Sequence, residues 1–309
     1  MNAKALAGVL VFAAVSNLWP TSRVMAAETP GQSFATPRDA VMELQRAAAA
    51  ADFTKLRVIF GSKLDDIANP DRVQATNEVK TFAAALSETN QLVSIAGKRM
   101  AVEYGPERSS FPVPLAESAG RWFFDTEAGA EELVNRRIGQ NELAVLEAVR
   151  TYVEAQREYA TRDRDGDEVL EHAQKFRSTD GTKDGLFWPE DLDGSTSPLG
   201  PLVAAAQAEG YSTGAGTNPE PFNGYFFRIL TRQGKRAPGG AYDYIINGNM
   251  IGGFALVAWP AEYDETGVMT FIVNHQGLVY QRDLGPKTGK IASSMKVYEP
   301  DKSWSPSRD

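Results

Sequence analysis

The chain has 309 residues, 42% of them hydrophobic and 23% charged, with a formal net charge of −8 and no cysteine. This composition excludes a disordered chain and a polytopic membrane protein, and the acidic balance leaves no electrostatic footprint for nucleic acid. The missing cysteines remove disulfides, thiol nucleophiles and thiolate metal sites together, while the length favours two domains over one core.

Residues 1–26 read as an export signal. Lys4 supplies a positive start, Ala5 to Trp19 is a short apolar run, and Val24-Met25-Ala26 offers the small residues a signal peptidase reads, with cleavage before Ala27. The run is shorter than the roughly 20 apolar residues that span a bilayer. The expected mature protein is therefore periplasmic or secreted and does not span a membrane. Loss of Lys4 and Arg23 takes its charge from −8 to −10.

The mature chain opens its fold at Thr36-Pro37-Arg38-Asp39, a threonine N-cap with proline at the first helical position. Val41, Leu44, Ala48 and Ala51 follow at helical spacing. A shorter helix is expected from Asp52 to Phe60, and Asn69-Pro70 starts another with Ala75, Val79, Phe82 and Leu86 on its buried side. The period then changes to two over Arg99–Tyr104, Phe111–Leu115 and Arg121–Asp125, which read as strands. Helices followed by a meander predict a small α+β domain over residues 34–139, of a cystatin or nuclear-transport-factor-two shape.

Thr126 is placed to cap a helix that Gly139 interrupts, and Asn141 to cap a longer one to about Thr161, with Val145, Val149 and Tyr152 on one side. The domain boundary falls near Gly139. Phe176 to Asn223 reads as ordered loop with one helix, Leu199–Glu209. Strands are expected at Tyr225–Thr231, Gly253–Pro260, Val268–Asn274 and Leu278–Arg282, the last two joined by a tight turn at Asn274-His275-Gln276-Gly277. Phe271 and Val273 face one side of the sheet and Thr270, Ile272 and Asn274 the other. The fold class is thus α+β: N-terminal helices with a small antiparallel sheet, then a long helix on an antiparallel meander over residues 140–298. Residues 299–309 are expected as a flexible tail.

Several stretches carry a resemblance. Phe123-Phe124-Asp125-Thr126, Gly185-Leu186-Phe187-Trp188-Pro189, Ala237 to Tyr244, Gly252-Gly253-Phe254-Ala255 and Gly267 to Phe271 resemble the domain of unknown function 2950 family, over about Phe34 to Leu284. The resemblance implies an exported bacterial protein and no particular activity. The C-terminal half is also similar to the globular head of type IV pilins and pseudopilins, in which a long helix packs on an antiparallel sheet. The departure is at Arg136-Arg137-Ile138-Gly139-Gln140-Asn141-Glu142, too polar for the membrane-anchoring start of a pilin helix.

Chemical motifs are sparse. There is no H-E-x-x-H pair and no G-x-S-x-G elbow, and His172 and His275 lie about a hundred residues apart. Gly214-Ala215-Gly216-Thr217 lacks the Gly-Lys-Ser/Thr ending of a phosphate loop. Asp163, Asp165 and Asp167 alternate as in calcium loops, but the sixth and twelfth loop positions hold Glu168 and Gln174, so no metal is expected. The candidate ligand site is Gly239 and Gly240 with Tyr242, Asp243 and Tyr244, where paired glycines allow close backbone approach and tyrosines offer flat amphipathic surface. No catalytic residue and no cofactor is singled out. The expected role is non-catalytic binding or assembly in the cell envelope, with an envelope protein or surface polymer as partner; the alternative is a secreted hydrolase acting through a carboxylate pair.

Overall fold

The computed structural model describes residues 31–64, 68–95, 97–189, 194–211 and 221–307. The expected export signal and the Gly214–Thr217 stretch lie outside the described residues. The first half holds helices α1 (Pro37–Ala49), α2 (Phe53–Phe60) and α3 (Arg72–Glu88), then strands β1 (Asn90–Ser94), β2 (Arg99–Tyr104), β3 (Ser109–Ser110), β4 (Leu115–Ser118) and β5 (Arg121–Phe124). The α1 start is the expected capping box, with Thr36 Oγ1 accepting from the Asp39 amide and the Asp39 carboxylate accepting from the Thr36 amide. Helix α3 is capped by Asp71 rather than at Asn69: the Asp71 carboxylate accepts from the Val73 and Gln74 amides, and Asn69 Oδ1 from the Asp71 amide. The strand expected over Phe111–Leu115 begins only at Leu115, because Pro112 and Pro114 have no N–H to give a ladder. β1, not foreseen, completes an antiparallel sheet in the order β1-β2-β4-β5, with β3 on β2.

Helix α4 (Thr126–Tyr159) corrects the expected break at Gly139. It runs unbroken for 34 residues, roughly 50 Å at 1.5 Å per residue. Its cap is Asp125, whose side chain accepts from the Ala128 amide, while the Thr126 hydroxyl donates to the carbonyl of Phe60. Asn141 is no cap either. It lies within the helix, fully buried, with its side chain satisfied by distant partners. A helix passes Asn141 and Gly139 because tertiary contacts satisfy the first and the second meets only open space.

After α5 (Gly200–Glu209), strand β6 (Tyr225–Leu230), the short hairpin β7 (Arg232–Gln233) and β8 (Tyr242–Asp243), β9 (Ala255–Pro260), β10 (Met269–Asn274) and β11 (Tyr280–Asp283) follow, then α6 (Thr288–Ser293) and β12 (Ser305–Pro306). The large sheet is antiparallel in the order β12-β11-β10-β9-β6. The residues expected as a flexible tail therefore include an edge strand, with Ser305 opposite Gln281 and Pro306 opposite Tyr280, and Trp304 packs on the core.

Both faces of this sheet are covered. α4 lies on the face of Tyr225 and Phe271: Glu142 accepts from the Val268 and Met269 amides, and Val145, Val149 and Tyr152 are buried in the same core. On the opposite face Arg228 stacks on Trp259 and donates to the Ser293 carbonyl at the end of α6. Thr270, Ile272 and Asn274 are consequently as buried as Phe271 and Val273. Two hydrophobic clusters result. One joins α1, α2, the small sheet and Leu86 of α3; the other joins α4 from Val145 onward to the large sheet and its surrounding loops. Among the described residues no helix is long and apolar enough to cross a membrane.

Candidate functional site

The stripe Ala75, Val79, Phe82 and Leu86 of α3 is only partly buried. Leu86 is fully enclosed, but the rest face a cleft of about 1200 Å³ bounded by α1, α2, α3, the segment before β4 and the first half of α4. Its floor is aromatic. Phe82 stacks on Phe111 at 4.9 Å between centroids and meets Tyr104 edge-on at 4.9 Å, while Phe60 lies 6.0 Å from Phe111. Leu133 of α4 and Leu56 of α2 extend the apolar wall.

At one end the wall turns polar. Arg137, in helical register with Leu133 and Asn141, is nearly enclosed at 7% exposure and donates to the carbonyls of Ala68 and Glu265. Burial lowers its guanidinium from the ordinary arginine value, and Glu78 and Glu265 oppose that shift. Asn69 Nδ2 donates to Gln74 Oε1 at 2.9 Å and to Glu78 Oε1 at 3.2 Å. Gln74 donates to Asn141, and Asn141 donates to the Thr266 carbonyl in the loop between β9 and β10. Gly224 permits this: it sits at φ +72°, and a β-carbon there would stand 2.7 Å from the Asn141 amide nitrogen. Asp71 accepts from the Tyr211 hydroxyl at 2.7 Å.

Glu78 is reached by solvent through the cleft mouth, yet the concave wall strips enough water from its carboxyl to raise its pKa. Burial is the largest cause; the Asn69 hydrogen bond and the charge of Arg137 pull the other way, and Asp71 adds to the rise.

The sequence-predicted site residues lie elsewhere. Gly239 and Gly240, at φ +89° and +80°, turn the loop between β7 and β8 around the Gln233 side chain, which donates to the carbonyls of Pro238 and Gly240. Tyr244 is fully buried and donates to Gln233 Oε1, so it braces the hairpin from inside. Tyr242 and Asp243 face outward, with Asp243 3.4 Å from Arg232.

Asp163, Asp165 and Asp167 do converge, with carboxylate oxygens within 4.8 Å of one another, and all three are exposed. Asp163 already accepts from the amides of Asp165, Gly166 and Glu168, which lowers its pKa, whereas desolvation and the neighbouring aspartates raise that of Asp165. Asp167 accepts from Asn249. The two histidines, far apart in sequence, both approach Phe254: His172 at 4.8 Å and His275 at 6.3 Å between ring centroids.

Sequence reasoning missed the cleft. Its signal was Glu78, a carboxylate set inside the apolar stripe of α3 at three residues from Ala75 and four from Phe82. Arg137 and Asn141 interrupt the α4 stripe in the same way.

The fold and cleft define a two-core α+β protein whose long central helix runs from a hollow first core to a solid second one. The chain belongs to the DUF2950 family of proteins of unknown function, whose family model matches residues 31–306. No curated protein and no solved structure matches it, and the likeness to pilin heads is not confirmed.

Proposed function

We propose that this protein is exported, periplasmic or secreted, and acts without catalysis by binding a small, largely apolar molecule in the α3 cleft. The observation that carries the reading is the cleft itself: about 1200 Å³ walled by aromatic and aliphatic side chains and bordered by a hydrogen-bonded polar cluster. Sites for small molecules have this make-up, mostly apolar with a few placed polar groups. The two hydrophobic clusters support a division into units of residues 34–139 and 140–298. A hydrolase would require a second carboxylate beside Glu78. Asp71, the other acid acting on it, is committed to capping α3 and to Tyr211, which favours binding over catalysis.

The test is fluorescence titration of the full chain with the neutral apolar dye N-phenyl-1-naphthylamine. The dye should brighten on the wild type. Ala75→Trp, which fills the cleft from α3, should abolish the signal, and Tyr242→Ser on the distant hairpin should leave it intact. No enhancement on the wild type, or equal enhancement in Ala75→Trp, would overturn the reading. Export is checked by intact mass of the chain from envelope fractions, expected to begin at Ala27; full-length chain in the cytosol would refute it.

A further inference from the structure

The sequence holds asparagine before glycine twice, at Asn223-Gly224 and at Asn247-Gly248. Both pairs form the same two-residue turn. Phe222 and Tyr225 exchange backbone hydrogen bonds of 2.9 and 3.1 Å around the first, and Ile246 and Asn249 do so at 2.9 and 3.1 Å around the second. All four turn residues have positive φ: +48° and +72° in the first turn, +54° and +97° in the second. Asparagine followed by glycine is the pair this turn favours. It is also the pair most open to succinimide formation, because glycine has no side chain to shield its amide nitrogen from the asparagine carboxamide.

The surroundings separate the two turns. Gly224 is buried, and a β-carbon on it would stand 2.7 Å from Asn141 Nδ2 and 2.8 Å from Thr266 Cβ. Its carbonyl accepts from the Ala261 amide. That peptide cannot rotate without moving α4 or the loop before β10. Asn247 and Gly248 are both exposed, and a β-carbon on Gly248 would meet nothing within 4 Å. Besides the Ile246–Asn249 pair, the turn is held by Gln174, which donates to the Gly248 carbonyl from an exposed position. Ring closure needs the turn to open, so that the side-chain carbon swings onto the next nitrogen, and exposed turns with few contacts open most readily.

We propose that Asn247 is a modification site, at which the chain converts its own asparagine to isoaspartate with water as the co-reactant. The Gly248 nitrogen gives its proton to solvent base and attacks Asn247 Cγ. The C–N bond of the carboxamide breaks, and ammonia leaves with a proton from solvent. Water then opens the five-membered succinimide. Attack at the backbone carbonyl leaves the chain running through Cβ and Cγ, which is isoaspartate; attack at Cγ gives aspartate. Isoaspartate adds one backbone carbon, so the two-residue register of the turn is lost. That turn is an anchor: the Asn249 side chain donates to Asp167, and the Met250 amide donates to Glu171. Conversion therefore releases the acidic loop and adds a negative charge to the turn that held it.

The experiment keeps the full chain at pH 8 and 37 °C, folded or in guanidinium chloride, and follows both pairs by peptide mass mapping. In denaturant the two should convert at similar rates. In the folded chain Asn247 should convert at least about tenfold faster than Asn223, the ratio for a local opening easier by about 1.4 kcal/mol. Equal rates in the folded chain overturn the site, as does a folded Asn247 that stays intact while the denatured chain converts. Hydrogen exchange on the same samples tests the consequence. The amides of Asn249 and Met250 should exchange faster in the isoaspartate product and not in Asn247→Asp, which carries the charge without the extra carbon. Unchanged exchange in the product, or an equal rise in Asn247→Asp, overturns the loss of anchoring and leaves the modification site standing.

Discussion

The two cores use similar residues to different ends. Around the large sheet, apolar side chains from α4, α6 and the surrounding loops cover both faces, and β9 and nearly all of β10 are buried along their length. Around the small sheet, α3 is pinned at its C-terminal end by Ala83 and Leu86, while Val79 and Phe82 pack on that core with one side and border the cleft with the other. Close packing is the rule in protein interiors, and a core that stops short of it beside an ordered aromatic wall presents the make-up of small-molecule sites. The polar chain Glu78–Asn69–Gln74–Asn141–Thr266 joins the hollow core to the solid one.

The largest effect should come from the solid core. Val149, 1% exposed on the α4 face that meets the sheet, cannot become aspartate without burying an unpaired carboxylate. Val149→Asp should cost about 4 kcal/mol, a large share of a domain's stability. Glu154→Ala, on the outward face with its side chain 72% exposed beside Arg157, should change stability by less than about half a kcal/mol. Similar chemical denaturation midpoints for the two would show that α4 does not pack as described.

A matched pair of truncations sharpens the contrast. Phe271→Ala opens a cavity in a packed interior and should cost about 3–5 kcal/mol. Phe82→Ala removes a ring already bounded by the cleft on one side and should cost roughly 1–2 kcal/mol, with a proportionate loss of dye binding. Equal losses would mean that the cleft is filled by the chain itself.

The smallest effect is in pH, where the two cores respond with opposite sign. Burial lowers the pKa of His172 and His275 beside Phe254, so below about pH 6.5 the unfolded chain takes up protons that the fold refuses, and stability falls as pH falls. For Glu78 the folded pKa is raised, so its contribution is full below about pH 4.3 and is lost as pH rises through the folded value. Between pH 7.5 and 5.5, His275→Asn should flatten the loss of melting temperature. Glu78→Gln should gain slightly over the wild type at pH 7 and not at pH 4. Opposite slopes would reverse these burial assignments.

Local signals were legible where a residue answers to its immediate neighbours. The Thr36 capping box, the strand Arg99–Tyr104 and the meander from Tyr225 follow from capping chemistry and side-chain period, and they fix the α+β class. The same local rules misread Gly139 and Asn141 as a helix break and a cap, since the partners of Asn141, Gln74 and Thr266, lie 67 and 125 residues away. They grouped Tyr244 with Gly239, Gly240, Tyr242 and Asp243 as a candidate ligand site, and the fold buries Tyr244 against Gln233.

What the sequence determined by itself is the class of fold, most element positions and the family, because these rest on period, turn chemistry and short motifs. Only the tertiary structure decided that α4 is one rod, that α6 closes the second face of the large sheet, and that the α3 stripe borders a cleft as well as its own core. An apolar stripe states that a face avoids water, and the arrangement of the other elements decides whether it meets a wall or a hollow. Glu78 reads in sequence as an ordinary helix-surface acid, and only the fold places it on the wall of the cleft.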